Sequence, residues 1–354
     1  MSNAHRSRGA NSNPPNRFDE IHIDPHSEID IGPDEDTDLP DLSTFLRDQS
    51  ESLITYNDSP DVGFNAGINV YRGCEHGCIY CYARPTHEFL GFSSGLDFER
   101  KIIVKENAPQ ILHRELASKG WKPQVLAMSG VTDPYQPIER KLRLTRQCLE
   151  VLANFRNPVG IITKNQLITR DIDLLQRLND YSAVAVFVSI TTLDPKLRRV
   201  MEPRTAPPAA RLRTIEQLAK RGIPVGTLLA PIIPGLTDHE IPNMISSAAD
   251  AGAQFAGHVT LRLPFQVKTL FVNWLTEHFP QKKERVLNRL KTIRSGSLNS
   301  SQFGSRMKGD GIFADQIHQL FNLSCRKAGI LHKSPHLKTD HFRRDPDQFD
   351  LFAR

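Results

Sequence analysis

Between about residue 64 and residue 278 the chain alternates short apolar runs with helix-like stretches, and this alternation limits its fold more than any other feature. A strand-like segment at 64–71 is followed by apolar runs at 124–129 (QVLAMS), 159–163 (VGIIT), 183–190 (AVAVFVSI), 224–230 (PVGTLLA) and 258–263 (HVTLRL). Helix-like stretches at 107–119, 145–155, 171–179, 207–221, 238–251 and 267–278 lie between and after them. The runs are continuous where a half-exposed strand would alternate, as expected of parallel strands buried on both faces. Helix starts at Asn107 (with Pro109 behind), Thr145 and Asp171, and a stop at Gly222 after Lys220 and Arg221, punctuate the pattern. Six such units, recurring at roughly 30 residues, predict an α/β fold built as a partial (β/α)6 TIM-type barrel. A doubly wound sheet is the alternative. In either case, chemistry belongs at the C-terminal ends of the strands.

Charge is unevenly distributed. The 354 residues carry 45 Lys and Arg against 40 Asp and Glu, a net charge of +5. Ten of the acids fall within residues 18–41, which contain no Lys or Arg, so the rest of the chain stands at +15. A basic body suits a polyanionic partner, with nucleic acid the first candidate, or simply a solubilising surface. Residues 1–49, polar and without apolar periodicity, read as a disordered acidic N-terminal tail. The repeating core spans 60–295, and 296–354 read as a C-terminal helical extension and tail, with a helix near 311–328. No apolar run reaches the roughly 18 residues of a membrane span. The opening MSNAHRSRGANSNPPN lacks the apolar centre of a secretory signal, so a cytoplasmic location without membrane contact is expected.

Five cysteines are too few for a disulfide framework, and three of them fall in YRGCEHGCIYCYAR as Cys74, Cys78 and Cys81. Three thiolates spaced C-x3-C-x2-C converge on one centre only if the loop wraps it, and Gly73 and Gly77 supply the freedom. Soft thiolates select zinc or an iron–sulfur cluster. Structural zinc needs a fourth ligand, for which His76 and His87 are candidates. A redox C-x-x-C pair is a third reading, but it leaves Cys74 without a role.

The C-x3-C-x2-C loop, with Tyr80 before its last cysteine and placed after the first strand of a β/α series, resembles the radical S-adenosyl-L-methionine (SAM) superfamily. The resemblance implies that Cys74, Cys78 and Cys81 hold a [4Fe-4S] cluster whose remaining iron binds SAM. It further implies reductive cleavage of SAM to methionine and a 5′-deoxyadenosyl radical, with an electron donor such as flavodoxin or ferredoxin. Within the superfamily the chain looks most like the branch of spore photoproduct lyase and "DNA repair photolyase"-like proteins. The residues that carry this are Cys81-Tyr82-Ala83, Thr132-Asp133-Pro134 with Glu139, Ile162-Thr163-Lys164, Val188-Ser189-Ile190 with Glu202-Pro203, and Ala230-Pro231 with Pro234-Gly235.

By that resemblance Tyr80 packs near the adenine, and Thr132, Lys164, Ser189 and Ala230 line SAM. Glu202 and Arg204 are weaker candidates for an ion pair orienting the pocket. DNA repair and a DNA or RNA substrate are implied as well. One departure matters: the lyase donates hydrogen from a cysteine just before its Ser/Thr-Asp motif, where this chain reads Met128-Ser129-Gly130-Val131-Thr132. Cys148 and Cys325 read as core cysteines, leaving Tyr82 and Tyr135 as candidate hydrogen relays and the chain as a relative of the lyase. The rival reading is a non-catalytic zinc or Fe–S nucleic-acid-binding module.

Two weaker signals remain. Gly309-Asp310-Gly311-Ile312-Phe313-Ala314 matches a dinucleotide fingerprint but follows no strand, so it reads as a turn that starts a helix. Gln348-Phe349-Asp350-Leu351-Phe352 resembles the peptide with which bacterial replication and repair proteins dock on the sliding clamp, an apolar-anchored tail that orders on binding.

Overall fold

The computed structural model describes residues 8–18, 27–31 and 43–344. Its ten strands are β1 (Thr44–Arg47), β2 (Ile54–Tyr56), β3 (Ala66–Ile68), β4 (Tyr71–Arg72), β5 (Lys101–Val104), β6 (Leu126–Met128), β7 (Val159–Thr163), β8 (Val184–Ser189), β9 (Val225–Ile232) and β10 (Phe255–Thr260). Six of them, β3 and β6 to β10, are parallel neighbours in unbroken chain order. A doubly wound sheet reverses order at its middle, whereas a barrel does not, so the barrel alternative holds. The edges β10 and β2 do not pair, and β2 runs antiparallel to β3, so the barrel stays open as a partial (β/α)6 curl. A smaller sheet is ordered β1-β5-β4.

Alternate strand residues divide between two interiors. Val184, Val186 and Val188 join Leu149, Leu175, Ile215 and Leu218 in the layer between sheet and helices. Ala185 and Phe187 face the other way and meet Phe255, Val125 and Leu337. Each fully buried Leu, Ile or Val contributes roughly 1.5–3 kcal/mol. A second core lies at the C-terminal strand ends, where Leu261, Leu263, Phe271, Trp274 and Leu290 pack with Cys78, Ile79 and Tyr80. The helices Val267–His278 and Pro280–Thr292 therefore brace the cysteine loop.

Several boundaries depart from the sequence reading. The last strand begins three residues earlier than its apolar run, because Phe255 pairs beside Gly226, where any Cβ would strike its ring. Leu261 and Leu263 pass instead into the second core. Thr145 lies inside the helix Leu144–Phe155, its hydroxyl donating to the Pro134 carbonyl at 2.5 Å. Asp171 does precede a helix, but its carboxylate pairs with Arg146 and Arg170. Gly222 follows the helix Pro208–Lys220 at φ +70°, as expected. Gly311 starts the helix Ile312–Ala328, the turn the sequence suggests.

The expected tail is in part ordered. Strand β1 pairs in parallel with β5, and Ile29 donates its N–H to Phe45. Residues 8–18 lie against the cysteine loop, with Ala10 1% exposed. Composition concealed this because the contacts are mostly polar: the backbone N–H groups of Gly9 and Ala10 both donate to the Glu99 carboxylate, at 3.0 and 2.8 Å. Cys148 and Cys325 are fully buried in the main core. The Gln348–Phe352 peptide lies outside the described residues.

Candidate active site

The cysteine loop leaves β4 and is wrapped by local geometry. Gly73 and Gly77 take φ of +80° and +66°, which side-chain-bearing residues rarely adopt. Cys74 N–H donates to Phe98 O (2.9 Å) and Cys81 N–H to Cys78 O (3.2 Å). Cys74 and Cys78 are buried and Cys81 half-buried. Burial raises all three thiols; for Cys74, Asp133 and the other two cysteines add to the rise. Lys164 works the other way on Cys78 and Cys81, as does Arg84 on Cys81 and Arg211 on Cys78. The surroundings thus supply cations to thiols that must ionise to bind metal.

Each later strand end reaches this loop. After β6, Thr132 donates its hydroxyl to Gly73 O (2.7 Å) and accepts from Gln136 (3.0 Å), so it holds the loop from behind. Asp133 is a hub: it accepts from Thr163 (2.7 Å) and from the Lys164 N–H (2.8 Å), and faces His76 Nδ1 at 3.4 Å. Burial works against its charge, yet these partners leave its carboxyl below the usual range. After β7, the Lys164 ammonium stands 5.9 Å from the centre of the Tyr80 ring. After β8, Glu202 binds the Tyr80 hydroxyl, Thr191 (2.7 Å) and buried Arg211. Burial opposes its ionisation too, but Arg211 and Lys164 outweigh it and hold Glu202 at about 2. Ser189 is buried at the strand end, its carbonyl accepting from Arg211 (3.0 Å), and Ala230 is half-buried on β9.

The sequence candidates therefore divide. Tyr80, Thr132, Lys164 and Glu202 gather at the cysteine loop through these contacts. Tyr82 lies beside it, 53% exposed and 5.8 Å from the Arg262 guanidinium. Tyr135 is turned away, fully buried in the main core beside Asp171, Glu139 and Arg170. Arg204 pairs with Glu75 at 3.3 Å, while Glu202 takes Arg211. Sequence reading missed Arg211, Glu75, and the Arg84–Glu99 pair (2.5 Å), whose buried charges knit the loop to its surroundings. The proximity of Arg84 to the cysteine motif is the one signal that could have flagged them.

The two histidines near the loop differ in what they have free. His76 spends its ring nitrogens on Asp133 and on Asn165 (3.1 Å). His87 engages the Lys101 carbonyl (2.9 Å). His76 is thus engaged at both nitrogens, whereas His87 keeps a buried Nδ1 without a partner beside Gly73. Three thiols in one wrapped loop are soft donors whose chemistry fits an iron–sulfur cluster, which Cys74, Cys78 and Cys81 would hold.

Residues 68–248 match the radical SAM superfamily, and the chain belongs to it. The superfamily uses a [4Fe-4S] cluster and S-adenosyl-L-methionine as cofactors. Among its relatives is an uncharacterised protein of Mycobacterium tuberculosis, 35% identical over 63% of this chain and 66% of that protein, just under two thirds of its length. An uncharacterised protein of Methanocaldococcus jannaschii is 29% identical over 63% of this chain and 79% of its own. A mutant spore photoproduct lyase with bound AdoMet and dinucleoside spore photoproduct shares the fold, with a TM-score of 0.56 over 80% of this chain and 79% of that one at 15% identity.

Proposed function

We propose that Cys74, Cys78 and Cys81 hold the cluster and that the chain is an enzyme that cleaves SAM reductively and acts on a nucleic acid. When bound, the cluster supplies the electron that converts SAM to methionine and a 5′-deoxyadenosyl radical. The observation that carries this reading is the convergence of the ends of β6, β7 and β8 on a three-cysteine loop. Lys164 supplies a cation for the SAM carboxylate, and Tyr80, fixed by Glu202, offers a ring to the adenine. Ser189 and Ala230 are small enough to let the ligand approach the strand ends. Tyr82, exposed beside the loop, passes a hydrogen atom between substrate and radical in this reading.

The substrate reading rests on the rim. Tyr82, Arg262, Arg306 and the exposed Phe303 form one neighbourhood, with Arg306 over the Phe303 ring at 4.4 Å. Exposed aromatics interleaved with arginines suit stacked bases and phosphates. The lyase whose fold this chain shares carries a dinucleoside photoproduct, which agrees with that class.

The decisive test is anaerobic. The reconstituted protein is assayed for iron and sulfide, then given dithionite and SAM. 5′-Deoxyadenosine is expected from the native chain and none from Cys78→Ala. A protein with a full cluster that never cleaves SAM would instead be the nucleic-acid-binding module.

A further inference from the structure

A second site lies on the other side of the sheet. Between the outer face of β10 and the helix Ile312–Ala328 is a cavity of about 630 Å³, bordered by His258, Lys308, His318, Phe321, Arg326 and His332. His258 follows Ala256 on the face turned to that helix, whereas Phe255 faces the inner cluster, so the strand itself separates the cavity from the barrel interior. Backbone bonds fix its walls: Ala256 N–H to Leu331 O (2.8 Å), Leu331 N–H to Gln254 O (3.0 Å) and Thr260 N–H to Met307 O (2.8 Å).

The lining is chemically one-sided. The His258 ring lies 4.3 Å from Phe321 and 5.5 Å from His318, and Phe321 lies 6.0 Å from His332. No carboxylate lines the cavity among the described residues, although Asp315 on the same helix favours the charge on His318 against burial, Lys308 and His332. Burial, then His318, Lys308 and His332, hold His258 at about 4, so its neighbours offer only positive or neutral donors. His318 Nδ1 is buried without a hydrogen-bond partner. Three imidazoles suggest a metal first, yet their side chains do not converge closely enough to hold one ion. What the cavity lacks is an anion.

We propose that this cavity binds a phosphate monoester carried on a planar group, as in a nucleoside monophosphate or the phosphorylated end of a strand. Lys308 and Arg326 neutralise the phosphate at the rim, the imidazoles donate N–H bonds to it, and His258 and Phe321, their rings inclined at 40°, offer the attached ring an aromatic contact. The volume falls in the range of small-molecule sites, roughly 300–1,000 Å³. This site does not depend on the cluster.

The test is calorimetric titration of the purified full chain with four probes: inorganic phosphate, adenosine monophosphate, and one short oligonucleotide with and without its 5′-phosphate. Binding of the monophosphate or of the phosphorylated strand is expected, weakened about tenfold or more in Lys308→Gln/Arg326→Gln and in His258→Asn. The mononucleotide and the strand compared with each other identify the source. Both rim residues are exposed, so melting temperature and SAM cleavage should be unaffected in the double variant. Equal affinity for both strands together with no response to the mononucleotide overturns the proposal, as does binding of inorganic phosphate alone or affinity indifferent to the variants.

Discussion

At the residue scale, the fully buried Glu202 carboxylate links Tyr80 in the cysteine loop to Arg211 in the helix Pro208–Lys220. Removing one partner of a buried ion pair strands the other, at a cost of about 3–5 kcal/mol. Glu202→Gln should lower stability by that order at neutral pH, measured by denaturant unfolding. The sign with pH follows from its depressed carboxyl, held at about 2. Its contribution is complete above the ordinary carboxylate range and fades as pH falls towards 2. The difference between native and variant chains should therefore shrink over that acid interval, and a difference constant with pH would refute the linkage. Tyr82→Phe tests the exposed side of the loop separately: SAM cleavage should persist while hydrogen transfer to or from substrate falls. The cysteines were legible in sequence because their spacing is local. Arg211 was not, because its partner depends on how two helices after β8 fold back.

At the element scale, residues 8–18 work as a strap. Arg8 donates to the Glu99 carbonyl (2.8 Å) and to Ser43 (3.1 Å), and a Cβ on Gly9 would collide with the carbonyl of Gly77, so only glycine allows this approach. Asn16 bonds the carbonyls of Glu88 and Phe92, both at 3.1 Å, and Arg17 lies 3.7 Å from the centre of the Phe265 ring. Ala10 packs with Cys78, Ile79 and Tyr80, which keeps water from the back of the loop. Ala10→Asp would bury a second carboxylate beside Glu99, whose own charge is already held by Arg84. The reconstituted variant should lose its cluster absorbance in air several-fold faster than the native chain, and limited trypsin digestion should cut the strap. Equal bleaching and equal cutting would mean that the strap is dispensable. Sequence reading passed over this element because it recognises order by apolar periodicity, and the strap has none. The six parallel strands were legible for the converse reason: each is a short apolar run that only a two-sided interior can bury.

At the scale of the whole molecule, the charge separation and the aromatic rim point the same way. Ten of the 40 acids gather in 18–41, while Arg262 and Arg306 stand beside Tyr82 and Phe303. Arg262 Nε is buried without a hydrogen-bond partner, and Arg306 lies close enough to depress its basicity after burial has done so. Asp61 already pairs with Arg306 and also favours the charge on Arg262, so of the two guanidiniums it is Arg262, with its buried and unpartnered Nε, that an incoming anion would satisfy. A single strand threading past the mouth would place a phosphate on the Arg262 guanidinium and a base on Phe303, which is 55% exposed and so has little to lose structurally. Stacking of one base is worth about 1–3 kcal/mol, so Phe303→Ala should weaken single-stranded oligonucleotide binding by about five- to a hundred-fold. Arg262→Gln should instead flatten the dependence of log affinity on log salt by about one phosphate contact, with little change in base preference. Fluorescence anisotropy at a series of salt concentrations separates the two effects. Binding that ignores both substitutions would move the nucleic acid away from this mouth and leave the radical chemistry with a substrate of another class.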